Sequence, residues 1–248
     1  MLEKVEGVVI RTRDYGESNK VVTLFTRERG KMAAMARGAK KPKSRLGAAT
    51  QPFTLGQYLC FAGSGMATLS QADILASHYS IRSDLTLASY AAYLAELLDK
   101  LTGEKEPAPE LYELLLTTFR MLEKGVDPEI LSRIFELKVL EAAGYRPRLD
   151  GCIACGKADL PVRFSVRQGG FLCRKCQDRD PRALTLSPAA ARILKTLQRI
   201  TPDRLGDIQV KDETKAQLER AVRSFVDEYA DLKLKSRDFL DRLKRDWT

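Results

Sequence analysis

An α+β multidomain fold is predicted by three features of the sequence. They are five short apolar and β-branched segments in the first 80 residues, a change to helical periodicity at Asp84, and two Cys-x-x-Cys pairs at 152–155 and 173–176. They divide the chain into an amino-terminal barrel over 1–80, an all-helical domain formed by 81–146 with 183–248, and a four-cysteine module inserted at 147–182. With 248 residues, 44% apolar and 30% charged, the chain can bury a sizeable core and is neither disordered nor collagenous.

The strand-like segments are Val5 to Thr12, Lys20 to Thr26, Lys31 to Ala36, Phe53 to Ala62 and Met66 to Ile74. Arg27-Glu28-Arg29-Gly30 reads as a tight hairpin in which Gly takes the position with φ above zero, and Gly63-Ser64-Gly65 reads as a second connection. Five strands with one long basic connection suit a small closed OB-fold β-barrel. An SH3-like barrel fits the same pattern.

From Leu85 to Leu98 the apolar residues fall on one broad helical face, and Pro107 and Pro109 then break the chain. A second helix is predicted over about 110–123. Asp127-Pro128-Glu129 supplies an N-cap and a first-turn Pro for a third helix ending near Gly144, and Ser187-Pro188 repeats that signal for a helix to about Ile200. Residues 211 to about 244 read as one or two more.

Cys152, Cys155, Cys173 and Cys176 form two knuckles separated by 17 residues, the spacing of a structural zinc site. Four thiolates close a tetrahedral coordination sphere and leave no position for an activated water, so a structural Zn²⁺, one per chain, is expected rather than a catalytic one. Val162 to Val166 and Gly170 to Leu172 read as a hairpin between the knuckles. So few apolar side chains lie here that the metal is expected to supply much of the folding free energy. Two disulfides, or a redox pair, are the alternatives; a cytosolic location disfavours the first and the lack of a βαβ context the second. Cys60, inside an apolar strand, reads as a core residue.

The net charge is +9 and is unevenly placed. Residues 1–83 carry 13 basic and 6 acidic side chains, 84–145 carry 6 and 12, 146–182 carry 9 and 4, and 183–248 carry 14 and 11. The densest cationic run is Arg37, Lys40, Lys41, Lys43 and Arg45, five cations in nine residues without an acid. Such a connection is expected to stay mobile until phosphates neutralise it, which favours a nucleic acid as partner over a merely solvated surface or an acidic protein. Arg11, Arg13, Lys20, Arg27, Arg29 and Lys31 could extend the patch. Tyr15, Phe25, Phe53, Tyr58 and Phe61 are the aromatics available for base stacking, most of them better placed in a core, so phosphate contact is expected to dominate.

Signatures of catalysis are missing. The sequence holds no phosphate-binding Gly-x-x-x-x-Gly-Lys-[Ser/Thr] loop, no Gly-x-Gly-x-x-Gly and no His-Glu-x-x-His, and its single histidine, His78, reads as a structural or exposed residue at the barrel-to-helix junction. The carboxylates Glu96, Asp99, Glu110 and Glu113 read as a solvated helical face. The longest unbroken apolar run, Tyr90 to Ala95, is far short of the roughly 20 residues of a membrane span. The first residues resemble neither a signal nor a transit peptide, so no membrane partner and a cytoplasmic location are expected.

The stretches Gly7-Val8-Val9-Ile10-Arg11, Tyr15-Gly16-Glu17, Thr26 to Lys31, Arg37-Gly38-Ala39-Lys40-Lys41-Pro42-Lys43-Ser44-Arg45 and Gln51-Pro52-Phe53 resemble the bacterial RecO family of recombination mediators across the whole chain. The resemblance implies an OB-fold, a helical body and a zinc module. It also implies binding to single- and double-stranded DNA, annealing of complementary strands, and action with RecR to load RecA onto DNA coated by single-strand-binding protein, with no bond made or broken. The family's basic residues fall on Arg37, Lys40, Lys41, Lys43 and Arg45, and on Arg11, Arg27 and Arg29. A nucleoid-associated cytoplasmic location follows, and so does docking of the acidic tail of single-strand-binding protein on the helical body, where Arg120, Arg133, Lys138 or carboxy-terminal bases would receive it. Competing readings are a zinc-ribbon transcription or translation factor and a metal-dependent nuclease using the helical carboxylates.

Overall fold

A long first strand, β1 (Leu2–Tyr15), organises the amino-terminal unit by pairing with two partners. Its first half runs antiparallel to β4 (Leu55–Phe61) and its second half to β2 (Asn19–Thr26). The register slips between Val9 and Arg11, and such a bulge gives one strand the bend it needs to serve two neighbours. β3 (Gly30–Ala36) continues from β2, and β5 (Ala67–Ala76) pairs parallel to β3 and antiparallel to β4. The result is a closed barrel of order β1-β2-β3-β5-β4, the OB arrangement rather than the SH3-like one. Its interior is filled by alternate residues, among them Val5, Val9, Val22, Leu24, Ala34, Tyr58, Cys60 and Leu69.

This description comes from a computed structural model covering residues 2–61, 65–158 and 161–246. The predicted connection Gly63-Ser64-Gly65 lies outside the described residues at Gly63 and Ser64. At the β2–β3 hairpin Gly30 has φ +63°, as its sequence context requires, and a Cβ there would lie 1.8 Å from the Glu106 carbonyl oxygen.

Two short helices fall where none was expected, α1 (Arg45–Ala49) and α2 (Tyr79–Ser83). Ser44 caps α1, its Oγ accepting from the Leu46 N–H at 3.2 Å, and Leu46 and Ala49 join the barrel core. α5 (Pro128–Ala142) and α6 (Pro188–Arg199) start at the predicted caps Asp127 and Ser187, and α3 (Leu85–Leu101) starts where the periodicity changes, capped by Asp84; each cap oxygen accepts a backbone N–H of the first turn. α4 (Pro109–Glu123) lies between α3 and α5, and the carboxy-terminal segment resolves into two helices, α7 (Asp212–Ala230) and α8 (Lys235–Asp246).

The contacts gather the chain into two units, Met1–Glu123 with Leu234–Thr248, and Lys124–Lys233. This grouping cuts across the division drawn from sequence, placing α2, α3, α4 and α8 with the barrel and the four-cysteine segment with α5, α6 and α7. In the first unit the Ser236 N–H donates to Glu96 at 2.8 Å, fastening α8 to α3. In the second, β6 (Pro161–Ser165) and β7 (Gly170–Cys173) form the predicted hairpin, and an unpredicted β8 (Leu184–Thr185) adds a third strand. Phe164 meets Phe171 edge-on and Phe225 of α7 at 6.0 Å, and Phe225 stacks on Tyr229 at 4.4 Å. The cysteine segment is thereby seated on helices of its own unit.

Candidate nucleic-acid interface and metal centre

The basic run leaves β3 after Ala36 and turns back over the tip of the β1–β2 hairpin. Gly38, with φ +66°, donates its N–H to Asn19 Oδ1 at 2.9 Å, and the Lys40 N–H donates to the Ser18 carbonyl at 2.9 Å. Lys41 N–H to Gly38 O and Ser44 N–H to Lys41 O close two successive turns at 3.0 and 2.9 Å. Ala39, 4% exposed, points into the barrel core. Where charge repulsion predicts a loose connection, the backbone is thus fastened. The cations splay outward while one methyl group and four backbone bonds hold the chain.

Arg37, Lys40, Lys41, Lys43 and Arg45 are all exposed. Lys40 pairs with Asp14 at 2.7 Å, and that hydrogen bond holds the Asp14 carboxyl below the usual carboxylate range. The other four make no ion pair among the described residues.

Four of the remaining candidate cations are placed differently, while Arg13 and Lys20 make no ion pair among the described residues. Arg11 reaches Asp99 at 3.3 Å and Thr23 Oγ1 at 3.3 Å, Arg27 reaches Glu113 at 2.6 Å, and Arg29 reaches Glu3 at 2.5 Å. Lys31 is nearly enclosed, donating to the carbonyls of Asp99 and Thr102 at 2.5 and 2.7 Å and pairing with the Asp99 carboxylate at 3.3 Å. Arg27 and Arg29 also sit at the opposite end of β3 from Arg37, about 20 Å away along a seven-residue strand. The structure therefore brings the five residues of the turn together and leaves the hairpin pair apart from them.

The helical carboxylates are not a uniformly solvated face. Asp99 is buried, at 8% exposure, between two barrel cations, Glu96 holds Ser236, and Glu113 holds Arg27. Arg133, one of the bases expected to receive an acidic tail, is instead buried and donates to Glu136 at 2.7 Å. His78 is buried at the junction, its Nδ1 2.9 Å from Glu123 and its ring edge-on to Phe119. Phe25, Phe53 and Tyr58 are core residues, while Tyr15 and Phe61 are exposed. Burial pushes the Cys60 thiol up to about 11, with Glu3 adding to it, so this cysteine is an inert core residue.

The four paired cysteines converge. All their sulfur atoms lie within 4.8 Å of one another, and Cys155 and Cys173 are 3.9 Å apart. A tetrahedral site with bonds of about 2.3 Å has edges of about 3.8 Å, so the donor set fits a metal ion. The local backbone is built for it: Gly156, at φ +75°, donates its N–H to the Cys152 carbonyl at 2.8 Å. Burial would raise the Cys152 thiol, but backbone N–H groups of Cys173, Cys155 and Ala154 aim at its sulfur and bring it to about 6, favouring a thiolate. Burial and then the neighbouring sulfurs push Cys176 up to about 12, the mark of four thiols that cannot all ionise without a cation between them. Beyond the cysteines, this cluster's fully buried apolar residues are only Leu172 and Ala183.

Comparison with known proteins agrees with this architecture. Residues 1–78 match the model of the Recombination protein O N terminal family and residues 82–238 that of Recombination protein O C terminal. The chain belongs to the RecO family. It is 48% identical over 244 residues to the DNA repair protein RecO of Halalkalibacterium halodurans, covering 98% of this chain and 96% of that one. It is 46% identical to DNA repair protein RecO of Bacillus subtilis, with the same coverage, and 46% identical over 245 residues to that of Bacillus mycoides, covering 99% of each. Among the described residues, no helix of this RecO-family chain is long and apolar enough to cross a membrane.

Proposed function

We propose that this protein is a DNA repair and recombination mediator of the cytoplasm and nucleoid. It binds single- and double-stranded DNA through the Arg37–Arg45 turn, anneals complementary strands, and acts with RecR to load RecA on DNA coated by single-strand-binding protein. The observation that carries this reading is the turn itself, four exposed cations without an acidic partner on a rigidly fastened segment of an OB barrel. Annealing needs no catalytic group. Two phosphate backbones repel, and a cationic surface that neutralises phosphates lowers that repulsion and releases counterions. The protein is accordingly a non-enzymatic one.

The metal is zinc, one per chain, with Cys152, Cys155, Cys173 and Cys176 as ligands and a structural role. All-sulfur tetrahedral coordination suits Zn²⁺, and a cluster with so little apolar burial depends on the metal for its order. Elemental analysis is expected to return about one zinc per chain. Cys152→Ser should lose the metal and expose backbone amides of 147–185 to rapid hydrogen exchange; full protection without metal would refute the assignment.

The decisive assay is annealing of complementary strands, bare and coated with single-strand-binding protein, without ATP or magnesium. Product formation supports the mediator reading. Magnesium-dependent strand cleavage would replace it with the nuclease, and RNA binding without annealing would replace it with the transcription or translation factor.

A further inference from the structure

Tyr15 stands at the end of β1 with 55% of its surface exposed and no ring contact among the described residues. A single exposed aromatic is ordinary on a protein surface. Its surroundings are not. The hairpin that carries it is fastened to the basic turn at three points: Gly38 N–H to Asn19 Oδ1, Lys40 N–H to Ser18 O, and Lys40 Nζ to Asp14. Tyr15 is the direct cross-strand partner of Asn19, the residue that accepts from the turn.

The faces of the strands place its ring. After the bulge, Thr12 is opposite Val22, a residue of the barrel interior, so Thr12 and Asp14 share the inner face, and Arg11, Arg13 and Tyr15 the outer one. On β3 the inward residues are Ala34 and Ala36, and the strand ends at the Lys20–Ala36 pair, so Arg37 is the exposed first residue of the turn that follows. Tyr15 and Asn19 thus form a cross-strand pair at the end of the hairpin, and the chain leaving β3 at Arg37 is held to that pair by the Gly38 N–H on Asn19 Oδ1. Arg13 flanks Tyr15 two residues back on the same face. An exposed aromatic side chain thus shares a hairpin with the exposed Arg13, and the basic turn that begins at the exposed Arg37 is fastened to that hairpin.

We infer that Tyr15 is a stacking platform for an unpaired nucleobase, which gives the turn a preference for single-stranded over double-stranded nucleic acid. Phosphates on Arg37 and Arg13 carry no information on strandedness, because both kinds of strand present them. A base can leave its neighbours and lie on a tyrosine ring only where it is not held in a duplex stack. Tyr15 therefore adds affinity to one kind of ligand alone. This inference rests on the assignment of the turn as the nucleic-acid footprint, and the experiment separates the two.

Binding of the full-length protein to a labelled oligo-dT strand, a duplex of equal length and an abasic strand of equal length is measured by anisotropy. Tyr15→Ala is expected to weaken oligo-dT about ten-fold, with duplex and abasic affinities changed less than two-fold, and Tyr15→Phe is expected to bind all three as the parent does. In a Trp247→Phe background, Tyr15→Trp is expected to lose fluorescence on adding oligo-dT and not on adding the abasic strand. Equal loss on all three probes, or no loss on oligo-dT, would overturn the stacking role. The Lys41→Ala/Lys43→Ala variant reports on the footprint independently: weakening on all three probes upholds the turn, and unchanged binding rejects it whatever Tyr15 does.

Discussion

The barrel carries two sets of cations that composition cannot tell apart and the fold treats oppositely. Arg11, Arg27, Arg29 and Lys31 each meet a carboxylate of the same unit, with partners as far along the chain as Glu113. Of the five in the turn, only Lys40 does, and its acid is the exposed Asp14. In the first set Arg11, Arg27 and Lys31 join the barrel to α3 and α4 and Arg29 ties the hairpin to β1; the second faces solvent on a segment whose backbone is fastened to the β1–β2 hairpin. A charge excess becomes a binding surface only where the fold supplies no counter-charge, so the count of lysines and arginines overstates the footprint.

The largest effect that tests this contrast is on stability. Lys31→Ala removes the most enclosed cation of the first set and leaves Asp99 with only the exposed Arg11, and breaking a buried pair in this way costs about 3 kcal/mol. Urea titration is expected to show an unfolding free energy reduced by about that much, read as a lowered midpoint; an unchanged midpoint would mean that Lys31 is not structural. Next in size is the turn. Lys40→Ala/Lys41→Ala/Lys43→Ala is expected to weaken DNA binding about 100-fold at low salt, similarly for unrelated sequences, with the denaturation midpoint unmoved. Smaller again is Asp14→Asn, which frees Lys40 and should tighten binding about two- to three-fold by titration, because an exposed pair is worth under about 1 kcal/mol. Glu17→Gln, which removes a charge from the same hairpin with no ion pair to release, should have less effect. Smallest is Arg27→Ala/Arg29→Ala, expected to leave DNA affinity within two-fold by the same titration.

Much of this was legible in the sequence because its causes are local. The strands follow from apolar alternation, the starts of α5 and α6 from Asp127 and Ser187 with the Pro that follows each, the start of α3 from the change of periodicity, and the metal centre from two knuckles on either side of a hairpin. What was not legible depends on contacts distant in the chain. The parallel β3–β5 pairing that closes the barrel has no local signature, nor has β8, which is two residues long and defined only by its neighbour β6. The burial of Asp99 among barrel cations, and of Arg133 against Glu136, reverses the usual reading of a charged residue on a helix. The basic turn is intermediate: its charges were plain, but its fastening depends on Ser18 of the β1–β2 turn, on Asn19 of β2 and on the inward methyl group of Ala39.

The central claim is that phosphates are bound by the unpartnered cations of the turn and not by the partnered cations of the hairpin. The salt dependence of oligo-dT affinity measures this most directly, because each neutralised phosphate on a single strand contributes about −0.7 to the log–log slope. Lys40→Ala/Lys41→Ala/Lys43→Ala should flatten the slope by about 2, while Arg27→Ala/Arg29→Ala should leave it within experimental error of the parent. An equal flattening by both variants, or by the hairpin variant alone, would contradict the account.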